Sequence, residues 1–275
     1  MSYRRVMREG GAVRLHVVDE GPADAPVVVL LCSLGSTVDM WAPQRRDLAG
    51  DFRVLTMDTR GHGGSPAPDG PYVVEDLGDD VLETLHHLGV DVAAFVGVSL
   101  GGAMSQAIAL RVPERVSALG LVCTSAQFAN PDSFVERAET ARTEGVAAIA
   151  DAVVARWFTD DIDPATRTTM RDMIAATPGE GYASCCEAIV AWDSTSRLGS
   201  ITAPTLVISG AQDPATPPEH GRFLADGIPG ARLEVLAHAA HLASYQRSEV
   251  VTPLLAEHLK GSSSSKGSSC MKGTA

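Results

Sequence analysis

The sequence predicts an α/β protein in which helices flank a mainly parallel sheet and a helical insertion forms a cap. Short apolar runs alternate with helical patterns through the first 125 residues of the 275-residue chain, which is typical of β-α-β units. Only helical patterns occur between residues 132 and 198, and the alternation then resumes. We therefore expect a core at 1–130 and 199–259, a cap at 131–198 and a tail at 260–275.

The predicted strands are of two kinds. Residues 13–18 alternate between apolar and polar side chains, which is typical of a strand with one buried face. A short unbroken apolar run lies at residues 27–31, as expected where both faces of a parallel sheet are covered, and residues 52–57, 93–98 and 118–123 repeat this signal. Two further strands are predicted where the alternation with helices resumes, at residues 205–209 and 232–236.

The predicted helices have apolar residues at helical spacing and fall between the strands or in the cap. Those of the core lie at residues 40–48, 74–88, 100–111, 218–226 and 249–259. Those of the cap lie at residues 134–141, 145–157, 167–176 and 182–192. This order places four helices in one insertion between two strands of the same sheet.

The charge of the chain is divided between two unlike parts. Residues 1–259 contain 19 arginines, no lysine and 34 acidic residues, a net charge of −15, whereas residues 260–275 contain three lysines and no acidic residue. A body this acidic repels phosphate backbones, so we expect no nucleic-acid partner. The tail is mostly Ser, Gly and Lys, which is typical of a flexible linker or the remnant of an expression tag.

Composition also argues against membrane, disulfide and metal classes. No apolar run approaches the roughly 20 residues that span a bilayer, and no signal-type apolar stretch follows residues 1–10, so we expect a cytoplasmic protein without a membrane partner. The five cysteines show no repeated metal-ligand spacing, so we expect neither a disulfide framework nor a metal site. Nothing in the pattern indicates an oligomeric state. The cysteines are Cys32, Cys123, Cys185, Cys186 and Cys270.

A nucleophile motif follows the predicted strand at residues 93–98. Gly97-Val98-Ser99-Leu100-Gly101 has the G-x-S-x-G pattern and opens a predicted helix. In this pattern a sharp turn presents the serine hydroxyl above the sheet, and the two glycines let the backbone close tightly. The strand before it and the helix after it make Ser99 the candidate nucleophile.

A serine nucleophile needs a base, and the base needs an acid that holds its tautomer. On such a sheet the order along the chain is Ser, then Asp or Glu, then His. Asp213 directly follows the predicted strand at residues 205–209, and His241 follows the next strand. His238 is the competing base, but it lies nearer the strand end. His62, after an earlier strand, is expected to shape a turn.

An oxyanion hole is expected from two backbone N–H groups. The first belongs to Leu100, directly after the nucleophile, and the second to Leu34, in the loop after an early strand. Cys32 in the same loop has no activating partner nearby in the sequence, which argues against a second nucleophile. No step of this chemistry needs a cofactor.

With these motifs in place, the chain resembles the α/β-hydrolases, and within them the bacterial 3-oxoadipate enol-lactonases. The similarity runs from about residue 15 to residue 259 and includes the cap, which varies most between hydrolase families. The motifs that carry it are His16-Val17-Val18-Asp19-Glu20-Gly21, Asp58-Thr59-Arg60-Gly61-His62-Gly63, Arg156-Trp157-Phe158-Thr159, Gly181-Tyr182-Ala183 and the segment from Asp213 to Arg222.

The resemblance implies hydrolysis of a five-membered enol-lactone with an acetate arm, giving 3-oxoadipate without a metal or organic cofactor. Ser99 would attack the lactone carbonyl and His241 would act as the base. The family pattern has Asn where this chain has Cys32, which puts the loop hydrogen bonding and the substrate preference in question. Cys32 and the unusual tail together fit the alternative of an engineered variant.

The substrate pocket is less well defined by the sequence. Cys32, Ser33, Phe134, Trp157 and Met173 are candidate pocket residues, although packing of the cap on the core explains the last three equally well. A cation should hold the carboxylate arm, and the sequence does not choose among the cap arginines Arg137, Arg142, Arg156, Arg167 and Arg171.

Two other functions are compatible with the same residues. One is a broader carboxylesterase or another cofactor-free reaction of the same three side chains, such as C–C bond hydrolysis or perhydrolysis. The other is a hydrolase-like protein that mainly binds a ligand. Enol-lactone hydrolysis and broader ester hydrolysis both imply a small lactone or ester as the partner.

Overall fold

The computed structural model describes the backbone of residues 11–267 and the side chains of residues 11–261. Its sheet has the strand order β1-β3-β2-β4-β5-β6-β7, in which β1 is antiparallel to β3 and all other neighbours are parallel. The predicted α/β class, with a mainly parallel sheet, is confirmed. The strands are β1 (Val17–Glu20), β2 (Val27–Leu31), β3 (Arg53–Met57), β4 (Ala93–Val98), β5 (Val116–Val122), β6 (Thr205–Gly210) and β7 (Arg232–Leu236).

Helices cover both faces of the sheet, and four of them lie between β5 and β6. Because β4 is central, all six of its residues are buried, as its unbroken apolar sequence requires. In the insertion, α4 packs on α7 and α5 packs on α6. The helices are α1 (Ala42–Leu48), α2 (Val74–His87), α3 (Leu100–Arg111), α4 (Pro131–Thr143), α5 (Ala150–Trp157), α6 (Pro164–Ala175), α7 (Gly179–Ala191), α8 (Pro218–Gly227), α9 (Ala243–Gln246) and α10 (Ser248–Gly267).

The first strand differs from its prediction. Residues 13–16 are not part of the sheet, and β1 begins at Val17. Their N–H groups are bound by side chains instead: Val13 donates to Asp80 Oδ1 at 2.8 Å, and Leu15 donates to Thr84 Oγ1 at 3.0 Å. The alternating polarity therefore indicates an extended segment here. The acceptors for these two N–H groups are side chains of helix α2, however, and not the backbone of a neighbouring strand.

Two helices also differ from their predictions. The predicted helix at residues 145–157 is divided into a 3-10 turn, Val146–Ala148, and α5, with Ile149 (φ −109°, ψ −4°) between them. Helix α10 continues to Gly267, so residues 260–267 of the expected flexible tail are helical. Residues 268–275, including Cys270, lie outside the described part of the chain.

The four described cysteines are buried and free. Within residues 11–267, no helix is long and apolar enough to cross a membrane. In the same described part of the chain, no group of three or more His, Cys, Asp and Glu side chains is placed to hold a metal ion.

The parallel strands bring their carboxyl ends to one edge of the sheet. The loops after β2, β4, β6 and β7 therefore meet at that edge, which is where open α/β sheets bind ligands. They carry Leu34, Ser99, Asp213 and His241 respectively. Helices α4–α7 stand above this edge because the insertion leaves the sheet after β5.

Candidate active site

Ser99 occupies a sharp turn between β4 and α3. Its φ of 55° and ψ of −114° lie outside the regions that L-residues ordinarily adopt. The turn is fastened to β5, since the Ser99 N–H donates to Val122 O at 3.1 Å and the Thr124 hydroxyl donates to Ser99 O at 2.6 Å. These bonds hold the nucleophile candidate in a conformation that the free chain avoids.

The two glycines of the motif are required by close approach. A Cβ on Gly97 would lie 2.2 Å from the backbone of Gly101, and a Cβ on Gly101 would lie 2.4 Å from Leu31 O. Helix α3 can therefore start against β2 and β4 only if both positions lack a side chain. Its first N–H groups, beginning with that of Leu100, point toward the turn that carries Ser99.

Asp213 and His241 form a buried pair. His241 Nδ1 lies 2.8 Å from Asp213 Oδ2, so the other ring nitrogen, Nε2, is the one left for a nucleophile. Asp213 also accepts from the N–H groups of Ala215 and Thr216 and from the Thr216 hydroxyl, at 2.8, 3.0 and 2.7 Å. All of these donors stabilise the ionised carboxylate.

The electrostatics of Asp213 follow from this arrangement. Burial by itself raises the pKa of this carboxyl, but the charge of His241 and the hydrogen bonds from His241 and Thr216 lower it to about 2. Asp213 is thus a permanent negative charge at neutral pH. Through its bond to Nδ1 it fixes the orientation of the imidazole.

His241, and not His238, reaches the site. His241 is buried and lines the same cavity as Ser99, whereas His238 is exposed and has φ 54° in the turn after β7. The backbone of His241 is also tied to the cap, because its N–H donates to Arg156 O at 3.4 Å. The next residue, Leu242, donates to Trp157 O at 2.8 Å.

A cavity of about 80 Å³ lies between the sheet edge and the cap. The residues that line it come from the loops after β2, β4, β5, β6 and β7 and from cap helices α4, α5 and α7. They are Ser33, Leu34, Ser99, Phe128, Ala129, Asn130, Ser133, Phe134, Arg137, Val153, Arg156, Trp157, Ile189, Pro214, Ala215, Thr216 and His241.

Three of the five predicted pocket residues line this cavity and two do not. Ser33, Phe134 and Trp157 do. Cys32 is instead wholly buried beneath the loop, where its thiol donates to Met57 O at 3.2 Å and burial raises its pKa well above the ordinary value. Met173 accepts from the Thr37 N–H at 3.4 Å. Neither Cys32 nor Met173 is among the described residues that line the cavity. Sequence position alone could not show this, because it does not give side-chain direction.

Two of the five cap arginines line the cavity, Arg137 and Arg156. Arg142 is held by Glu180 and Glu187 instead. Arg171 is likewise held, by Asp151 and Asp172, and Arg167 donates to Thr159 O.

No carboxylate neutralises the two cavity arginines within the described residues. Arg137 donates to the hydroxyl of Tyr182 and lies over its ring, 5.4 Å from the centroid. Burial, and then the positive charge of Arg137, lower the pKa of Arg156. Arg137 and Arg156 thus form a positive wall of the cavity that no described carboxylate neutralises, although residues 1–259 as a whole are acidic.

Several lining residues gave no signal in the sequence. Asn130 precedes α4 in the left-handed region, with φ 56°, and Ser133 lies in the first turn of the same helix. Phe128 contacts the ring of Phe134, with centroids 6.3 Å apart. Asn and Ser at a helix start are common for capping alone, so only the folded cap shows that they face a cavity.

Known proteins agree with this architecture. Residues 26–248 match the family model for the alpha/beta hydrolase fold. The chain is 37% identical to 3-oxoadipate enol-lactonase 2 of Acinetobacter baylyi over 240 residues, 86% of this chain and 90% of that protein. It is 32% identical to the putative carbamate hydrolase RutD of Stutzerimonas stutzeri over 246 residues, 86% of this chain and 92% of that one.

A solved structure is similar over nearly the whole chain. The enol-lactonase from Burkholderia xenovorans superposes with a TM-score of 0.88 at 43% sequence identity, covering 90% of this chain and 96% of its own. The family model, the sequence relatives and this solved structure agree on the α/β-hydrolase fold. The protein belongs to the α/β-hydrolase family and is a hydrolase.

Proposed function

We propose that the protein opens 3-oxoadipate enol-lactone, or a closely related carboxylated enol-lactone, through an acyl-enzyme on Ser99. His241 Nε2 takes the hydroxyl proton while Ser99 Oγ attacks the lactone carbonyl, and Asp213 stabilises the resulting imidazolium. The ring C–O bond then breaks, and the imidazolium returns the proton to the enol oxygen. That oxygen stays on the acyl chain, where the enol tautomerises to a ketone.

Water completes the reaction. His241 removes a proton from a water molecule, which attacks the acyl-enzyme and releases a carboxylic acid and free Ser99. In both steps the developing oxyanion is held by the N–H groups of Leu34 and Leu100. No described acceptor takes the Leu34 N–H, and Leu34 lines the cavity beside Ser99.

The observation that carries the substrate class is the arginine pair. Arg137 and Arg156 are half-buried, line the cavity and have no carboxylate partner in the described part of the chain, and charges withdrawn from water are ordinarily paired. A substrate with a carboxylate arm supplies the missing anion through charge-assisted hydrogen bonds. The likeness to two enol-lactonases supports the same class.

Substituting the arginines tests this assignment. We expect Arg156→Gln and Arg137→Gln each to lower kcat/KM for the enol-lactone by about ten- to a hundredfold, the worth of a charge-assisted hydrogen bond. Turnover of a neutral activated ester should change much less. Arg171→Gln is the matched control, because Arg171 is a cap arginine held by acidic partners outside the cavity. Equal losses on the neutral ester would contradict the role in carboxylate binding.

The similarity to RutD gives a second candidate, hydrolysis of a carbamate. A carbamate would use the same serine chemistry and, when ionised, the same positive wall. The two candidates differ in the atoms bonded to the reacting carbonyl carbon, since the lactone has a ring carbon where the carbamate has a nitrogen. A direct comparison of kcat/KM on the two substrates separates them, and a higher value for the carbamate would favour the second.

A further inference from the structure

The loop after β2, residues 33–38, is fixed mainly by hydrogen bonds that its backbone N–H groups donate. Five of its six N–H groups donate to acceptors in the described part of the chain, and Leu34 is the exception. The five bonds are Ser33 to Met40 Sδ (3.3 Å), Gly35 to His62 Nε2 (2.9 Å), Ser36 to Ser33 O (3.1 Å), Thr37 to Met173 Sδ (3.4 Å) and Val38 to Asp58 Oδ1 (2.8 Å).

His62 is the one aromatic side chain among these acceptors. Its Nε2 accepts from the Gly35 N–H, and its Nδ1 lies 3.1 Å from Arg60 O. A backbone N–H can only donate and a carbonyl can only accept, so the ring must be neutral with its proton on Nδ1. His62 is 1% exposed, and burial lowers its pKa, which favours this neutral form.

The bond to Gly35 fixes a peptide group next to the proposed oxyanion donor. The Gly35 nitrogen belongs to the peptide plane that also contains the carbonyl of Leu34, and peptide groups are planar. The Leu34 N–H itself lies in the preceding peptide plane, which also contains Ser33 O, and this oxygen accepts from the Ser36 N–H at 3.1 Å and from the Ser36 hydroxyl at 2.7 Å. The peptide planes on both sides of Leu34 are thus held. Gly35 has φ +78°, so the chain turns sharply just where His62 holds it.

We propose that His62 is a positioning residue that orients the Leu34 N–H as an oxyanion donor by accepting the N–H of Gly35. It acts through the loop and does not touch the substrate, since it is absent from the described residues that line the cavity. The inference rests on the proposed serine mechanism. It gives the Gly61-His62-Gly63 segment a role beyond the turn that its sequence predicts.

Three substitutions separate this role from simple packing. Gln can place an amide oxygen near the position of Nε2, whereas Asn is too short to reach Gly35 but can still donate to Arg60 O. Leu removes both polar contacts and keeps much of the volume. The matched control is Met173→Leu, which removes another acceptor of the loop but at Thr37, three residues beyond Leu34.

The readout is the second-order rate at which Ser99 reacts with a fluorophosphonate. Negative charge develops on the phosphoryl oxygen of this reagent as Ser99 attacks and fluoride leaves, so the reaction needs the oxyanion donors but no particular substrate. We expect His62→Leu and His62→Asn to react about ten- to a hundredfold more slowly than the native protein, since one oxyanion donor is worth about a hundredfold or more. His62→Gln and Met173→Leu should stay within about fivefold. On a neutral activated ester, the loss should appear in kcat and leave KM within about threefold.

The outcomes distinguish this inference from the proposed function. Equal rates for native protein, His62→Leu and His62→Asn would overturn the role of His62 alone, and so would a Gln variant as slow as Asn. If His62→Leu fails to fold, the contrast between Asn and Gln still decides. If Ser99 of the native protein is no more reactive than the Ser99→Ala background, the serine mechanism itself is overturned.

Discussion

At the scale of single residues, the geometry of Ser99 concentrates strain where the chemistry is expected. A non-glycine residue at φ 55° and ψ −114° costs about 1–3 kcal/mol, and the bonds to Val122 and from Thr124 hold it there. This strained conformation places the hydroxyl at the start of α3, beside the Leu100 N–H.

Removing the nucleophile or the base should abolish turnover. We expect Ser99→Ala and His241→Ala each to lower kcat by about 10⁴-fold or more, because the members of such a set act as a unit. His238→Ala is the matched control and should remain near native, since His238 is exposed and outside the cavity. Steady-state kinetics on the enol-lactone check this. An inactive His238→Ala with an active His241→Ala would reverse the assignment.

Asp213 should make the free energy of unfolding fall at acidic pH. Its pKa is lowered from 3.8 to about 2, so the ionised form stabilises the fold above pH 4, and this contribution is lost as the pH falls toward 2. We expect the free energy of unfolding to fall by about 1 kcal/mol more in the native protein than in Asp213→Asn between pH 5 and pH 3. Urea unfolding at each pH measures this, and parallel curves would contradict it.

The site residues that could be predicted are those close to strand ends. Ser99 follows β4 directly, and Asp213 and His241 lie three and five residues beyond the ends of β6 and β7, so chain order and sheet topology together place them at one edge. Cys32 and Met173 could not be excluded, because their side-chain directions depend on how the loop and cap pack. Arg137 and Arg156 could not be singled out for the same reason, since five cap arginines have similar sequence surroundings.

At the scale of elements, the contact between α7 and the loop after β3 sets how closely the cap approaches the core. A Cβ on Gly181 would lie 2.4 Å from the Cα of Gly61, and the converse holds for Gly61. Two backbones therefore touch without side chains between them. Gly61 is next to His62 in the sequence, so this short segment contacts the cap through Gly61 and the loop at residues 33–38 through His62.

A methyl group at that contact should be costly. We expect Gly181→Ala to lower the free energy of unfolding by about 1–3 kcal/mol, the usual cost of overpacking. Gly199→Ala is the control, since a Cβ there meets open space and should leave stability unchanged or slightly raised. Chemical denaturation measures both. A Gly181→Ala variant as stable as Gly199→Ala would show that the two backbones can separate freely.

Element types were more predictable than element ends. The central strands were identified because burial on both faces leaves an unbroken apolar run, and β4 and α3 end where predicted. The segment at residues 13–16 was not predictable as a non-strand, because its acceptors are side chains distant in sequence. Helix α9 has only four residues, too few for a helical period to show.

At the scale of the whole molecule, local and global charge have opposite signs. Residues 1–259 carry a net charge of −15, yet the cavity has a positive wall formed by Arg137 and Arg156. Attraction for a carboxylate must therefore come from the cavity itself, where burial weakens screening. The acidic exterior repels polyanions, whereas the positive wall of the cavity attracts a small anion.

The chain beyond the core should be dispensable for catalysis. All described residues that line the cavity lie between Ser33 and His241. We expect a protein ending at Gly261, which retains the ion pair between Lys260 and Asp51, to keep the native kcat and KM. Kinetics of the truncated and full-length proteins check this, and a large loss of kcat would assign residues 262–275 a part in the site.

The substrate class is tested most directly by two substrates that differ only in charge. One is 3-oxoadipate enol-lactone, and the other is the same lactone with its acetate arm as a neutral primary amide. The two unpaired arginines predict a kcat/KM at least about tenfold higher for the carboxylate. Equal or better turnover of the amide would contradict the proposed function and would favour a broad esterase that uses the same serine.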